Sequence, residues 1–317
     1  MQGLFGAPKH LLEIVNKAIL LAPNGIGDGL LMMIAHHQLK IAGYDVTLYH
    51  EKAALLCPLF PESKIALPGE IPPSDLLIVL NDNSKRAWDL IRNREKTPEL
   101  RFLFPTPSKA MQPEDFLFSP KKPVATNIQE ALKEILGKSV TKENGLYVPR
   151  IAKVKKRILI HPTSADVKRN WLPRQFMDLA RQLKRKGFTV AFATSPEESP
   201  YWKFVEREFL LPEFSSLLEM ASFISSCEVL IGNDSGIGHL ASNIGVPTFT
   251  ISGNKKRVQL WRPDFTKGEI ATVPFPLPNF KGINFRMREN FWQCFLPVKS
   301  VTKKFLKFYE KCGLNSL

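Results

Sequence analysis

The stretch IGNDSGIGHLASN, residues 231–243, decides the fold class of this chain of 317 residues. The short apolar run that leads into it, residues 228–231, is predicted to be a buried strand. After it, apolar side chains from Ile237 to Ile244 fall at helical spacing, and Gly245 predicts the end of that helix. A strand, a tight Asp-Ser-Gly turn and a helix therefore follow one another, as they do in parallel α/β folds.

The turn at the centre of this stretch is predicted to bind phosphate. Free N–H groups and the positive end of the helix dipole point out of the carboxyl end of the sheet. Gly236 and Gly238 let a ligand approach the backbone, and Ser235 adds a hydroxyl donor. In an isolated turn of this kind Asp234 or Ser235 more often simply caps the helix. Other segments of the chain are therefore needed to distinguish a helix cap from a phosphate-binding turn.

A second strand–turn–helix unit lies near the N-terminus. The apolar residues 18–21 are predicted to form a strand, and the turn PNGIGDG, residues 23–29, places Asp28 at the mouth of a helix predicted for residues 30–42. The glycines alternate in this turn, so the dinucleotide fingerprint G-x-G-x-x-G is absent. A nicotinamide dehydrogenase is therefore disfavoured.

Length and composition predict a globular protein of two domains. A chain of this size suits two domains of roughly 150 residues each, and 44% hydrophobic with 23% charged residues is typical of proteins with a packed core. The four cysteines are scattered without a C-x-x-C pair, which argues against a zinc ribbon or a disulfide framework. We place the domain boundary at the basic segment 148–156, giving domains 1–150 and 151–317.

The net charge of +14 indicates an anionic partner. Lipid headgroups, nucleic acid and phosphorylated substrates all qualify, but no nucleic-acid-binding motif is present, so nucleic acid is not expected. A membrane surface or an anionic acceptor remains as the better hypothesis. No apolar run reaches the roughly 18 residues that span a bilayer, and residues 1–17 do not resemble a secretory signal.

Three segments in this order resemble glycosyltransferase family 9, the bacterial heptosyltransferases of lipopolysaccharide core assembly. They are NGIGDGLL at residues 24–31, HPTS with KRNWLP between residues 161 and 173, and GNDSG with HLA and GVPT between residues 232 and 248. Each segment alone is weak, but the set is specific, and the likeness is densest over residues 157–263.

The resemblance implies an α/β chain of the GT-B fold, with two Rossmann-like domains facing each other across a cleft. The N-terminal domain would bind the acceptor and the C-terminal domain the nucleotide-sugar, while the last helix, about residues 298–312, would pack back on the N-terminal domain. The implied reaction is inverting transfer of a sugar, from ADP-heptose or a similar donor, to a lipopolysaccharide-core or similar envelope glycolipid. The expected location is the cytoplasm, with peripheral contact at the inner face of the membrane.

The same resemblance implies roles for individual residues. Asp28 would be the general base that takes the proton of the acceptor hydroxyl, with Gly25 and Gly27 in the acceptor-side loop. The predicted donor-binding residues are Thr163, Ser164, Lys168, Asp234, Ser235, Gly236 and His239. Simpler interpretations are a helix cap at Asp28 and a solvated surface lysine at Lys168.

No metal and no cofactor are expected. The chain has no D-x-D pair, the usual carboxylate clamp for a metal-bound diphosphate, so positive charge and backbone amides would stabilise the leaving group. Two alternatives stay open: a non-catalytic nucleotide-binding or envelope scaffold protein of the same fold, and another nucleotide-sugar enzyme such as an epimerase. The sequence leaves open which sugar and which nucleotide base the donor carries, the identity of the acceptor, and the oligomeric state. It also leaves open the roles of residues 1–16 and 106–150.

Overall fold

Two parallel sheets form the framework of the computed structural model, which describes residues 15–96, 99–275 and 291–314. The first sheet has six strands and the second has five, in this part of the chain. Every strand pairing in them is parallel. The predicted α/β class with two Rossmann-like halves is therefore confirmed.

The first sheet has the strand order β3-β2-β1-β4-β5-β6. Its strands are β1 (Lys17–Leu21), β2 (Asp45–Tyr49), β3 (Lys64–Ala66), β4 (Leu76–Leu80), β5 (Leu100–Phe104) and β6 (Phe116–Leu117). The helices between and after them are α1 (Ile26–Ile41), α2 (Ala53–Leu56), α3 (Lys85–Arg92) and α4 (Val124–Leu136). Residues 106–150, whose role the sequence left open, thus supply the edge strand β6 and the helix α4.

The second sheet has the order β11-β10-β9-β7-β8. Its strands are β7 (Arg157–His161), β8 (Thr189–Phe192), β9 (Val229–Asn233), β10 (Thr248–Ser252) and β11 (Gly268–Thr272). The helices are α5 (Pro173–Arg185), α6 (Ser199–Trp202), α7 (Leu217–Ser225), α8 (Gly236–Ile244), α9 (Lys255–Trp261) and α10 (Val298–Lys311).

Each sheet reverses its winding direction beside the strand that comes first in its half of the sequence. β1 lies between β2 and β4, and β7 lies between β8 and β9. In open α/β sheets, ligands bind outside the carboxyl ends of the strands at such a switch point. The two turns singled out in the sequence, after β1 and after β9, both lie at these positions.

The two sheets are joined through a shared apolar core. Helix α1 packs against α4 on its own side and against α8 from the second half, and ten of its residues between Gly29 and Leu39 are buried. The contact is reinforced by Asp264, whose carboxylate accepts hydrogen bonds from Thr126 at 2.6 Å and from Lys142 at 2.7 Å. The carboxyl ends of both sheets are thereby held towards one another.

The last helix differs from expectation in where it packs. Its extent agrees with the prediction, but its buried aromatic face lies on the second sheet and on α5. Phe305 contacts Phe249 of β10 with ring centroids 5.6 Å apart, and Tyr309 contacts Phe188 at 4.9 Å. The expectation that this helix packs back on the N-terminal domain is therefore wrong, because its aromatic stripe complements the phenylalanines of its own half.

The predicted boundary near residue 150 lies in a stretch without helix or strand between α4 and β7. This stretch is bonded to the second half, since the Ile151 amide donates to Ser225 Oγ and the Val154 amide donates to the Ser226 carbonyl. Residues 1–14, most of the N-terminal segment whose role was left open, lie outside the described residues.

His36 makes the stability of this fold sensitive to acid. The side chain is buried in α1, and burial lowers its pKa from 6.5 to about 4. Below pH 6.5 the unfolded chain binds a proton that the folded chain does not, so stability is expected to fall between pH 6.5 and 4. The full effect is about 3 kcal/mol. In urea unfolding, His36→Leu should make this decline shallower, and an unchanged slope would contradict the assignment.

Candidate active site

A cavity of about 540 Å³ lies between the carboxyl ends of the two sheets. It is lined from the first half by the turn before α1 and from the second half by the turns after β7, β8 and β9. Nine of the predicted site residues line it together: Gly25, Gly27, Asp28, Thr163, Ser164, Asp234, Ser235, Gly236 and His239. Residues more than 200 positions apart in the chain thus share one site.

The two glycine turns touch each other at the base of this cavity. A Cβ atom on Gly236 would lie 2.8 Å from the backbone nitrogen of Gly27, and one on Gly27 would lie 3.1 Å from the ring of His239. Only residues without a side chain allow this approach. As a result, the N-terminal ends of α1 and α8 both open into the same cavity, and each brings a positive helix end.

Asp28 lies in the first turn of α1 and is largely buried. Burial raises the pKa of its carboxyl from 3.8 to about 6, against smaller lowering effects of the Gly25 amide and the Arg257 guanidinium. The carboxylate does interact with the amide before the helix, as the capping interpretation expects. Its pKa is nevertheless shifted upward, which is the environment expected for a general base that works near neutral pH.

The turn before α8 presents unused hydrogen-bond donors. Ser235 precedes the helix, but its side chain makes no capping hydrogen bond, and its buried Oγ has no partner among the described residues. The interpretation of Ser235 as a side-chain cap therefore does not hold. Ser235 and the first residues of α8 line the cavity, and the amides at a helix N-terminus are a suitable site for an anion.

Two arginines that the sequence reasoning missed hold Asp234. Its Oδ2 atom accepts a hydrogen bond from Arg257 Nε at 3.0 Å and a longer one from Arg169 Nη1 at 3.3 Å. Both guanidinium groups also line the cavity. Arg257 is close enough to Asp28 to lower the pKa of that carboxyl. It therefore lies between the two acidic residues of the site.

A signal for Arg257 was present in the sequence. Helix α9 starts with two lysines and this arginine directly after β10. Cations at the positive end of a helix are unfavourable for the helix itself. The three cationic residues at the start of α9 lie at the same sheet edge as the Asp-Ser-Gly turn. Their position there indicates that an anion binds nearby.

Lys168 does not reach the main cavity. Its side chain is exposed and borders a second cavity of about 560 Å³, beside Trp292 and the start of α9. The neighbouring Arg169 lines both cavities. The short helical turn Val167–Arg169 explains the difference, because consecutive side chains on a 3₁₀ turn point about 120° apart.

Thr163 and Ser164 use their hydroxyls within the protein. Thr163 Oγ1 donates to Glu198 at 2.8 Å, and Ser164 Oγ lies 2.7 Å from the side-chain oxygen of Asn170. Asn170 in turn is bonded to Asn233 at the end of β9. In this arrangement the two hydroxyls hold the shape of the loops around the cavity.

The two histidines at the cavity are neutral. Burial lowers the pKa of His161, whose Nδ1–H donates to the Ala193 carbonyl at 2.9 Å. Burial likewise lowers the pKa of His239, whose Nδ1 atom has no hydrogen-bond partner among the described residues. The ring of His239, a residue of α8, lies beside Gly27 and thereby spaces the two turns.

In the described ranges, no group of three or more histidine, cysteine, aspartate or glutamate side chains is arranged to hold a metal ion. The same ranges contain no helix that is long and apolar enough to cross a membrane.

Comparison with known proteins finds a similarity to glycosyltransferases. The sequence profile of glycosyltransferase family 9 (heptosyltransferase) matches residues 117–271. No curated protein matches the chain by sequence.

Three solved structures share the fold over nearly the whole chain. A glycosyltransferase family 9 protein from Veillonella parvula is 16% identical, with a TM-score of 0.66, and the match covers 95% of this chain and 99% of that one. The E. coli heptosyltransferase WaaC, solved with ADP, is 13% identical with a TM-score of 0.64, covering 92% and 99%. E. coli ADP-heptose lipopolysaccharide heptosyltransferase II is 14% identical with a TM-score of 0.61, covering 94% and 99%.

These proteins have two Rossmann-like halves around a cleft, as this chain does. The match over residues 117–271 bears out the resemblance to glycosyltransferase family 9 and indicates a glycosyltransferase, and the solved structures show that the chain shares their GT-B fold.

Proposed function

We propose that this glycosyltransferase moves a heptose, with inversion, from ADP-heptose to a hydroxyl of an anionic envelope glycolipid, with Asp28 as general base and without a metal. One observation carries the proposal. A carboxylate with a raised pKa and an anion site at a helix N-terminus face the same cavity from opposite halves of the molecule. An acceptor hydroxyl and a donor diphosphate can then meet between them.

The acceptor side depends on Asp28. In an inverting displacement the acceptor oxygen attacks the anomeric carbon while the base removes its proton and the nucleotide leaves. A carboxyl whose pKa is raised to about 6 is ionised at neutral pH and binds a proton more strongly than an ordinary aspartate. Asp28 therefore combines the correct charge state with the strength needed for this step.

The donor side depends on positive charge and dipoles. The negative charge that develops on the leaving diphosphate would be stabilised by the first amides of α8, the Ser235 hydroxyl and the Arg257 guanidinium. This set needs no metal bridge. We assign the cationic role to Arg257 and Arg169 in place of Lys168, because the two arginines line the cavity that holds Asp28 and Lys168 does not.

A wall of the cavity suits a nucleobase. Phe214, Leu217 and Met220 lie together at the start of α7 and present an apolar surface. Flat aromatic bases bind well between such side chains. We place the adenine of the donor there.

The acceptor is proposed to be anionic because of charge on the first half. Lys52 is the cation from that half that lines the cavity, within the described residues. Together with the net charge of +14, it supports an acidic glycolipid presented at the inner face of the cytoplasmic membrane, where a basic protein is attracted to anionic lipid.

Nucleotide binding is the first test. In thermal unfolding with ADP, UDP, GDP, CDP or NAD, we expect ADP to stabilise the protein most, with and without EDTA. At 100 times its Kd a ligand adds about 2.7 kcal/mol. Arg257→Met should weaken ADP binding roughly 10-fold or more, because a hydrogen bond to a charged group contributes about 1.5–3 kcal/mol. Lys168→Ala is the matched control and should change it much less.

The other outcomes separate the alternatives. Stabilisation by UDP alone, without sugar transfer, would favour an epimerase. No stabilisation by any nucleotide would favour a scaffold protein. A greater loss in Lys168→Ala than in Arg257→Met would overturn our assignment of the cation. Transfer from ADP-heptose to a heptose-free core glycolipid, followed by mass spectrometry, then tests the reaction itself.

A further inference from the structure

His50 is a completely buried polar side chain beside the candidate active site. It follows β2 directly and precedes α2, and its ring reaches back to the turn that carries Asp28. It does not line the main cavity. Neither the sequence patterns nor the proposed mechanism gives it a role.

Two hydrogen bonds fix the tautomer of this ring. The Lys52 amide donates to His50 Nδ1 at 3.0 Å, so this nitrogen is the acceptor and the proton is on Nε2. The Nε2–H group then donates to the Gly25 carbonyl at 3.1 Å. Burial lowers the pKa of His50, which keeps the ring in this neutral form near pH 7.

The backbone of Gly25 connects this histidine to Asp28, since His50 contacts its carbonyl and Asp28 contacts its amide, on either side of one Cα atom. Gly25 immediately precedes α1, and its amide interacts with the Asp28 carboxylate. The packing leaves no room for a side chain at Gly25 or Gly29. A Cβ atom on Gly25 would lie 2.3 Å from Asp28 Oδ2, and one on Gly29 would lie 3.1 Å from His50 Nε2. A movement of the Gly25 backbone would therefore move the carboxylate or its hydrogen-bond donor.

We propose that His50 is a positioning residue for Asp28, holding the Gly25 carbonyl through Nε2–H so that the Gly25 amide faces the carboxylate. This inference rests on the proposed function in one respect, that Asp28 is the base. The structural part, contacts that lead from the ring through the Gly25 backbone to the carboxylate, is independent of any substrate. The side chain acts through the backbone of a turn 25 residues earlier in the sequence.

Two near-isosteric substitutions of His50 each keep one of the two hydrogen bonds of the ring. In His50→Gln the amide nitrogen takes the place of Nε2 and can still donate to the Gly25 carbonyl. In His50→Asn the side-chain oxygen takes the place of Nδ1 and can still accept from the Lys52 amide. Both variants lose one bond of the pair, so their effects on overall stability are matched.

We expect His50→Gln to keep kcat within about 3-fold and His50→Asn to lower it roughly 10-fold, since one hydrogen bond contributes about 0.5–1.5 kcal/mol. The KM for the donor should change little in either variant. In His50→Asn the acidic limb of the pH profile of kcat/KM should also move to higher pH, because the Gly25 amide lowers the pKa of Asp28. A purely structural role would leave that limb in place.

A measurement without substrate keeps this inference separate from the proposed function. The difference in unfolding free energy between a protein and its Asp28→Asn variant, followed against pH, reports the pKa of Asp28. That pKa should rise in the His50→Asn background and stay in place in the His50→Gln background. If neither variant moves it, or if His50→Gln moves it more, the inference is wrong. If no donor supports transfer while the pKa moves as expected, the proposed function fails and the positioning role stands.

Discussion

Replacing Asp28 with asparagine is expected to remove sugar transfer and, at the same time, to stabilise the fold. General-base catalysis contributes about 10²–10⁴-fold, so kcat should fall by that range. The gain in stability follows from the raised pKa. At pH 7.5 the folded protein carries a buried carboxylate whose pKa is about 6 in place of 3.8, which costs about 3 kcal/mol relative to the unfolded chain.

The effect of pH on stability has the opposite sign to that of a typical aspartate, whose pKa is lowered by folding. Since the folded state holds the proton more strongly, protonation of Asp28 stabilises the fold as pH falls from 6 towards 4. An asparagine has no such dependence. The stability difference between Asp28→Asn and the parent protein should therefore be roughly 1–3 kcal/mol at pH 7.5, and it should shrink at pH 4.5.

Urea unfolding at the two pH values measures the stability effect, and a transfer assay measures kcat. Asp82→Asn is the matched control, because Asp82 is an exposed carboxylate that acts on Asp28 only through its charge. It should leave activity and stability nearly unchanged. An active Asp28→Asn enzyme would contradict the assignment of the base, and an Asp28→Asn protein less stable than the parent would contradict the burial argument.

Replacing Gly236 with alanine is expected to force the two halves of the cleft apart. The added methyl group would lie 2.8 Å from Gly27 N and 3.2 Å from Ile26 Cβ, both of which belong to the opposite half. Backbone cannot yield as a flexible side chain does, so the turn before α1 must shift. Overpacking of this kind costs about 1–3 kcal/mol, and a displacement of about 1 Å between reacting groups can lower activity about 100-fold.

Gly238→Ala provides the control on the same helix. Its methyl group would meet only the side chain of Pro263, at 3.3 Å. Because alanine is favoured over glycine inside a helix by roughly 1 kcal/mol, this variant should be as stable as the parent protein or slightly more stable. Thermal unfolding and transfer rates of the two variants give the comparison. Equal behaviour would mean that the contact between the turns does not control the cleft.

The sequence was most informative where the structure is local. The turns before α1 and α8 each consist of a strand end, a glycine turn and a helix start, and all three signals lie within a short window. The two strands belong to different sheets, so their meeting at one cavity was predictable only from the resemblance, which implies two Rossmann-like domains facing each other across a cleft. For that reason Asp28 and the Asp234–Gly236 turn were identified correctly as neighbours.

The errors concern contacts that no local pattern encodes. Lys168 and Arg169 are adjacent and equally basic, and only the phase of a single helical turn decides which of them lines the main cavity. The amphipathic pattern of α10 predicts a helix but not the surface that it covers. His50 was missed because its partners are backbone groups, and the one that matters belongs to a distant turn.

The packing of α1 against α8 also affects the free energy needed to separate the two halves of the protein. One continuous apolar cluster contains Leu20 and Leu31 from the first sheet and its helix, and Leu230 and Leu240 from the second. Separating the halves would expose this shared interior to water, at about 25 cal/mol for each Å² of apolar surface. The two Rossmann-like halves therefore stabilise each other, because each covers apolar surface of the other in this shared cluster.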